Sequence, residues 1–434
     1  MNYLYFKLYI LFLFNFLNSL ANITFPIYTN FKEKNYNNNQ LNFIDNFNNL
    51  SLITYFIIGQ PKQNLSLIIS LNYYPFIISD NLYQSINSLT YEPIDFEDYN
   101  VEIARKSYWK NLKNLYKNQT PSSDNTFFGL ENINLNFLFI LKNNTNNNIL
   151  GLKYNDKDLN TLINSYNFIY QLKNSRFVDN NLFFIDIKEK NDFNYEGKLF
   201  FGNYPHNLNK KFNKENYNLI QISFNPEMSY EIISDKIFYN NLKILNESNI
   251  IFNFDINMIQ GSKNFLDFIY PKFFLKNKCK KINSILSNFT YIICNKDVKI
   301  KNFKNLIFNI DKFNFSFTYK DLFKKINDVY LFMIFFNEKN DTDKWQFGLS
   351  FFKKYMIVFE GDKRMIGVYL NNMTNNKINN YAGSFPWILV IICLFIILVL
   401  SFIIFHLIIN KRKKKANELE DNYEYMSYEL LKYK

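Results

Sequence analysis

The sequence predicts a mostly β ectodomain with a few short helices, followed by one transmembrane helix near the C-terminus. Three observations carry that expectation. Short apolar runs such as Leu65 to Ile69 and Phe76 to Ser79 recur between turns rich in Asn, Gly or Pro. Of the 434 residues, 48% are hydrophobic and 19% aromatic, enough for one large or two medium domains and too much for global disorder. From Pro386 to Ile409 the chain is apolar over roughly 20 residues, the length that spans a bilayer. Trp387 marks one interface of that stretch, and His406 is its only ionisable side chain besides the thiol of Cys393.

The two ends set the topology. Residues 1–21 read as a secretory signal peptide: Lys7, an apolar Leu8 to Leu17, and Ser19-Leu20-Ala21 as a small-residue cleavage site. After a stalk at 376–385 and the helix at 386–409, the run Lys411, Arg412, Lys413, Lys414, Lys415 places a tail at 410–434 in the cytoplasm. That order describes a single-pass type I protein of the secretory pathway, at the cell surface or in an endosomal or lysosomal membrane. The formal charge of +12 does not argue for nucleic acid, because the ectodomain lysines are scattered mostly singly among asparagines. The basic run is read as topogenic charge, and the abundance of Asn, Lys, Ile, Phe and Tyr as compositional bias.

Secretion decides how cysteines and asparagines are read. Only Cys279 and Cys294 lie in the ectodomain, so one disulfide between them is predicted, contributing ~3 kcal/mol. Asn-x-Ser/Thr sequons begin at Asn22, Asn49, Asn64, Asn118, Asn143, Asn246, Asn288, Asn314, Asn340 and Asn372, all on the lumenal side. In the tail, Tyr423-Glu424-Tyr425-Met426 and Tyr428-Glu429-Leu430-Leu431 each fit a Tyr-x-x-apolar sorting signal for adaptor proteins.

Along the ectodomain, Ile23 to Ile27 and Leu41 to Ile44 suit edge strands. Tyr55 to Ile58 and Leu65 to Ile69 flank a Gly59-Gln60-Pro61 turn and form a hairpin. Val101 to Leu115 fits either helix or strand. Next come the strand Asn148 to Leu152 with Gly151, a helix at Leu159 to Leu172, a strand at Leu182 to Ile187, and a hairpin around Gly197 and Gly202. Strands are expected near Ser229 to Ile233, Ile237 to Leu245, Ile250 to Ile259 and Leu306 to Phe308, with a short helix at Phe265 to Tyr270.

In this order the segments resemble the pepsin-like aspartic peptidases. Ile58-Gly59-Gln60-Pro61-Lys62-Gln63 resembles the turn before the first catalytic loop, Ile149-Leu150-Gly151-Leu152 the strand behind it, and Gly197-Lys198-Leu199-Phe200-Phe201-Gly202 a Gly-x-Leu-x-Phe-Gly hairpin. The block Trp345 to Val368 is similar to the family's last strand, φ-φ-Gly turn, short helix and Ile-Gly hairpin, φ being apolar. The resemblance implies an all-β, bilobal acid protease fold, with an N-terminal lobe at 22–220 and a C-terminal lobe at 221–375. It also makes Tyr116 the nearest candidate for the flap tyrosine, and places Leu71, Tyr73, Tyr74, Phe254 and Met258 in or beside an inter-lobe cleft. These five read equally well as core residues.

Such peptidases need two carboxylates that share a proton, one activating water and one hydrogen-bonding the scissile carbonyl. In this chain Ser70-Leu71-Asn72 and Asn253-Phe254-Asp255 stand where the two Asp-Thr-Gly loops are expected. Ser70 and Asn253 would form a neutral pseudo-dyad able to donate and accept hydrogen bonds. The rival reading makes Asp255 the acid after a register change, yet no Asp or Glu between Asn46 and Ser79 could partner it. His206, the only ectodomain histidine, is read as a solvated turn residue, so no metal or other cofactor is expected. The expectation is a membrane glycoprotein, peptidase-like but inactive, that binds peptide or protein in its cleft; alternatives are a degenerate but working acid endopeptidase, or an unrelated surface antigen without two related lobes.

Overall fold

The computed structural model describes residues 23–29, 31, 40–73, 75–93, 119–128, 133–142, 146–153, 167–191, 193–223, 230–284, 288–337 and 344–369. The expected signal peptide, Val101 to Leu115, Tyr116, Tyr74, and the expected stalk, membrane helix and tail lie outside these residues. So do the sequons at Asn22, Asn118, Asn143, Asn340 and Asn372. Among the described residues no helix is long and apolar enough to cross a membrane. A first compact unit runs from Met1 to Lys377 and holds every described element.

Among the described residues strands dominate, in sheets of thirteen, nine and four. The hairpin Leu52–Ile58 and Gln63–Ser70 forms as expected, Gly59 supplying a left-handed φ of 79° at its turn. Gln63–Ser70 runs parallel to Asn148–Gly151, with Ser70 opposite Gly151; that strand pairs antiparallel with Phe76–Ser79, which runs parallel to Ile133–Lys142. Later in the chain Ser248–Phe252 runs parallel to Trp345–Phe347. This second strand pairs antiparallel with Ile259–Gly261, which runs parallel to Ile334–Asn337. The same four-strand arrangement therefore occurs twice. A duplicated fold is what the bilobal expectation requires and what an unrelated surface antigen would lack.

The thirteen-stranded sheet draws on both ends of the first unit. Ile357–Glu360 pairs with Leu182–Glu189 on one side and with Met365–Tyr369 on the other, and Tyr217–Gln221 closes the edge. At its centre Phe25 stacks on Phe56 at 4.8 Å, and Phe168 packs edge-on to both. Phe168 opens the helix Phe168–Asn174, whose start is capped by Asn167 Oδ1 accepting from the Ile169 and Tyr170 amides. Of the helix expected at Leu159 to Leu172, residues 159–166 lie outside the described set.

Several expectations need correction. Leu41 to Ile44 is not an edge strand but part of the helix Gln40–Asn48. Leu41, Ile44 and Phe47 recur at helical spacing, and burial of Phe43, Ile44 and Phe47 in a second core with Met258, Tyr291 and Phe335 selects the helix. Ile23–Tyr28 is an interior strand, pairing with Tyr195–Phe201 and at Tyr28 with Ile53. Ile237 to Leu245 is a hairpin rather than one strand: Lys236–Tyr239 turns into Leu242–Leu245 through Asn240 and Asn241, both left-handed at φ 52° and 62°. Gly197 sits inside a strand, where a Cβ would come 2.0 Å from the Asp186 carbonyl, and not in a turn.

The Cys279–Cys294 disulfide is formed, with Cα atoms 4.3 Å apart. It ties the entry of Lys280–Asn283 to the end of its hairpin partner Phe289–Asn295.

Candidate functional site

Each of the two four-strand arrangements ends its first strand in a loop, and the two loops meet. Ser70 closes Gln63–Ser70, and Asn253 follows Ser248–Phe252 directly. In the first loop the Asn72 amide N–H donates to Ser70 Oγ (3.1 Å), and in the second the Asp255 amide N–H donates to Asn253 Oδ1 (2.9 Å). A glycine from the parallel neighbour presses on each loop. A Cβ on Gly151 would lie 2.6 Å from the Tyr73 carbonyl oxygen and 2.4 Å from that of Pro75; one on Gly348 would lie 2.5 Å from that of Ile256 and 2.3 Å from that of Met258. Ser70 and Asn253 thus hold matching places, as do Asn72 and Asp255.

Across the junction the side chains form a ring. The Ser70 hydroxyl donates to Asp255 Oδ2 (2.8 Å), while Asn72 Nδ2 donates to Asp255 Oδ2 (2.5 Å) and to Asn253 Oδ1 (3.1 Å). Asn253 Nδ2 in turn donates to Gln346 Oε1 (3.0 Å) on the neighbouring strand. Ser70 and Asn253 are buried, Asp255 is half-buried and Asn72 is exposed. Burial lifts the Asp255 carboxyl above its ordinary range, and the bonds from Ser70 and Asn72 pull it part of the way back. The ring holds one carboxylate, and among the described residues no acid or base bonds to it.

The second loop is also tied to the N-terminal helix. The Asn257 amide donates to the Asn48 carbonyl (2.7 Å) and its side chain to that of Phe47 (3.2 Å), while Tyr195 OH donates to Asn257 Oδ1 (2.9 Å). The Met258 amide donates to Asn48 Oδ1 (3.2 Å). Sequence reasoning missed Asn48, Tyr195, Asn257 and Gln346. It quoted Asn72 as part of a replaced loop without giving it a role; laying the first loop over the second puts Asn72 on Asp255, a signal that was available.

From residue 130 to residue 369 the sequence matches the family model for eukaryotic aspartyl protease. The chain belongs to that family. Its strand-rich fold and duplicated arrangement are those expected of an aspartyl protease domain. No curated protein matches the sequence.

The other candidate residues are dispersed. Leu71, Phe254 and Met258 are core residues at 1% exposure or less, leaving Tyr73 as the described residue of the expected cleft set that reaches the surface. The sequon asparagines Asn49, Asn64, Asn246, Asn288 and Asn314 are exposed. His206 is not a solvated turn residue. It lies half-buried in the helix Pro205–Leu208, stacked on Tyr204 with Nδ1 2.8 Å from Tyr369 OH. Burial, seconded by Lys214, lowers its pKa, and Glu360 opposes them. Glu360, itself buried, accepts from the Tyr217 hydroxyl, from Lys363 Nζ (2.6 Å) and from Tyr204 OH (3.3 Å). The clustering of tyrosines around a buried glutamate accounts for the histidine's burial.

Proposed function

We propose that this aspartyl protease family member is a catalytically inactive, type I membrane glycoprotein that binds extended peptide or protein between the lobes of its ectodomain. In this reading Ser70 and Asn253 occupy the two positions of the catalytic acids. One observation carries it: the two loops meet through a hydrogen-bonded ring with a single carboxylate, Asp255, bonded by a hydroxyl and an amide. The peptidase mechanism needs one acid to hold a proton while its neighbour has lost one, and a lone carboxylate cannot do both. The apolar stretch Pro386 to Ile409 with its basic flank supports the anchor, residues 1–21 the secretory route, and the tyrosine motifs at Tyr423, Met426, Tyr428 and Leu431 traffic through sorting adaptors.

The burial-raised Asp255 favours a second reading, a membrane-anchored acid endopeptidase working with one carboxylate. Incubation of the purified chain with acid-denatured haemoglobin at acidic pH, with and without pepstatin, separates the two. No pepstatin-sensitive cleavage is the expected outcome; cleavage that pepstatin stops and Asp255→Asn abolishes establishes the endopeptidase instead.

A further inference from the structure

We infer that the ring of Ser70, Asn72, Asn253 and Asp255 receives a cationic group of the ligand, an ammonium or guanidinium, on Asp255 Oδ1 and Asn72 Oδ1. The inference rests on the peptide-binding reading and deepens it by naming the ligand chemistry.

The donors and acceptors of the ring are unevenly used. Each side-chain donor atom of the ring already has an acceptor: the Ser70 hydroxyl on Asp255, the Asn72 amide nitrogen on Asp255 and Asn253, the Asn253 amide nitrogen on Gln346. The bonds that the Asp255 carboxylate accepts all fall on Oδ2, and among the described residues it pairs with no lysine, arginine or histidine. Its second oxygen and the carbonyl oxygen of the exposed Asn72 therefore remain as acceptors. A surface with a negative charge, free acceptors and four of its five side-chain O–H and N–H hydrogens engaged is complementary to a cation that donates. It is a poor match for a peptide carbonyl, which needs a donor. Burial makes the unpaired carboxylate costly, and a charge-assisted hydrogen bond from a ligand offsets that cost.

A lysine or arginine side chain and a free peptide N-terminus both supply this chemistry, and the test separates them. The purified full-length chain is immobilised and offered N-acetylated decapeptide pools, degenerate except for one central position fixed as Lys, Arg, norleucine or acetyl-lysine. A further norleucine pool carries a free N-terminus. Retained peptide is quantified by mass spectrometry at neutral pH. At least one cationic pool is expected to be retained about 10-fold over its neutral counterpart, and Asp255→Asn, shown folded by its thermal melt, is expected to erase the difference. Enrichment of the Lys and Arg pools assigns the group to a side chain; enrichment of the free-amine pool assigns it to the N-terminus. Equal retention of all pools, or the same enrichment by Asp255→Asn, overturns the inference and leaves peptide binding standing. Retention of no pool by the wild type overturns both.

Discussion

Loops 70–75 and 253–258 share a backbone design and differ in what holds them. In each, the residue two places on caps the first side chain, and a glycine from a parallel neighbour packs against two loop carbonyls. The second loop is fixed from behind by Asn48, Phe47 and Tyr195, with Asn257 fully buried among them. The outer residues of the first, Asn72 and Tyr73, are exposed. The acid thus stands on the anchored loop and its amide donor on the open one. Duplication fixed the backbone, while the side chains at matching places diverged into a donor and an acceptor that bind each other.

Substituting the two glycines attacks the shared design. Gly151→Ala and Gly348→Ala each force a Cβ onto backbone carbonyl oxygens, and each is expected to cost about 3 kcal/mol in chemical denaturation. Similar costs support the equivalence of the loops, and a neutral change at one alone breaks it. Asn257→Ala attacks the anchoring that sets the second loop apart. It leaves the Tyr195 hydroxyl without its acceptor and is expected to cost about 2 kcal/mol, measured the same way.

Smaller effects are carried by pH, and here the ring contrasts with the tyrosine cluster around Glu360. Because Asp255 is raised, the folded chain keeps a proton there that the unfolded chain has lost, so stability falls as pH rises from the ordinary carboxylate range through the folded value. Asp255→Asn is therefore expected to melt higher than wild type at neutral pH, with the advantage vanishing on acidification below that range. His206 acts in the opposite sense. Its pKa is lowered, so the unfolded chain takes up a proton first and stability falls as pH drops below the ordinary histidine range. His206→Gln, which keeps an acceptor for Tyr369, should flatten that part of the thermal-melt profile and leave the Asp255 part unchanged.

The order of elements was legible because it rests on local signals. The turn at Gly59, the glycines at 151 and 348 and the capped helix at 263–269 declare themselves through backbone freedom and apolar spacing. Ser70, Asn253 and Asp255 were legible as the residues standing in the two loops. Their mutual bonding was not, since sequence separations of 181 to 185 residues are closed only by the fold. The Gln40–Asn48 helix was misread because Leu41 to Ile44 taken alone is a short apolar run that fits a strand; the helical spacing emerges only with Phe47, and burial of Phe43, Ile44 and Phe47 decides it. The Asn257 anchor gave no signal at all in a chain where asparagine is everywhere.

The central claim is that one carboxylate, uncoupled to another, stands between the two loops. A carbon-detected NMR titration of the full-length chain labelled at its aspartate carboxyls, with Asp255 assigned by comparison with Asp255→Asn, tests it directly. A single-step titration with a midpoint above the ordinary carboxylate range is expected. A two-step curve, the mark of a proton shared with a second acid, would contradict it.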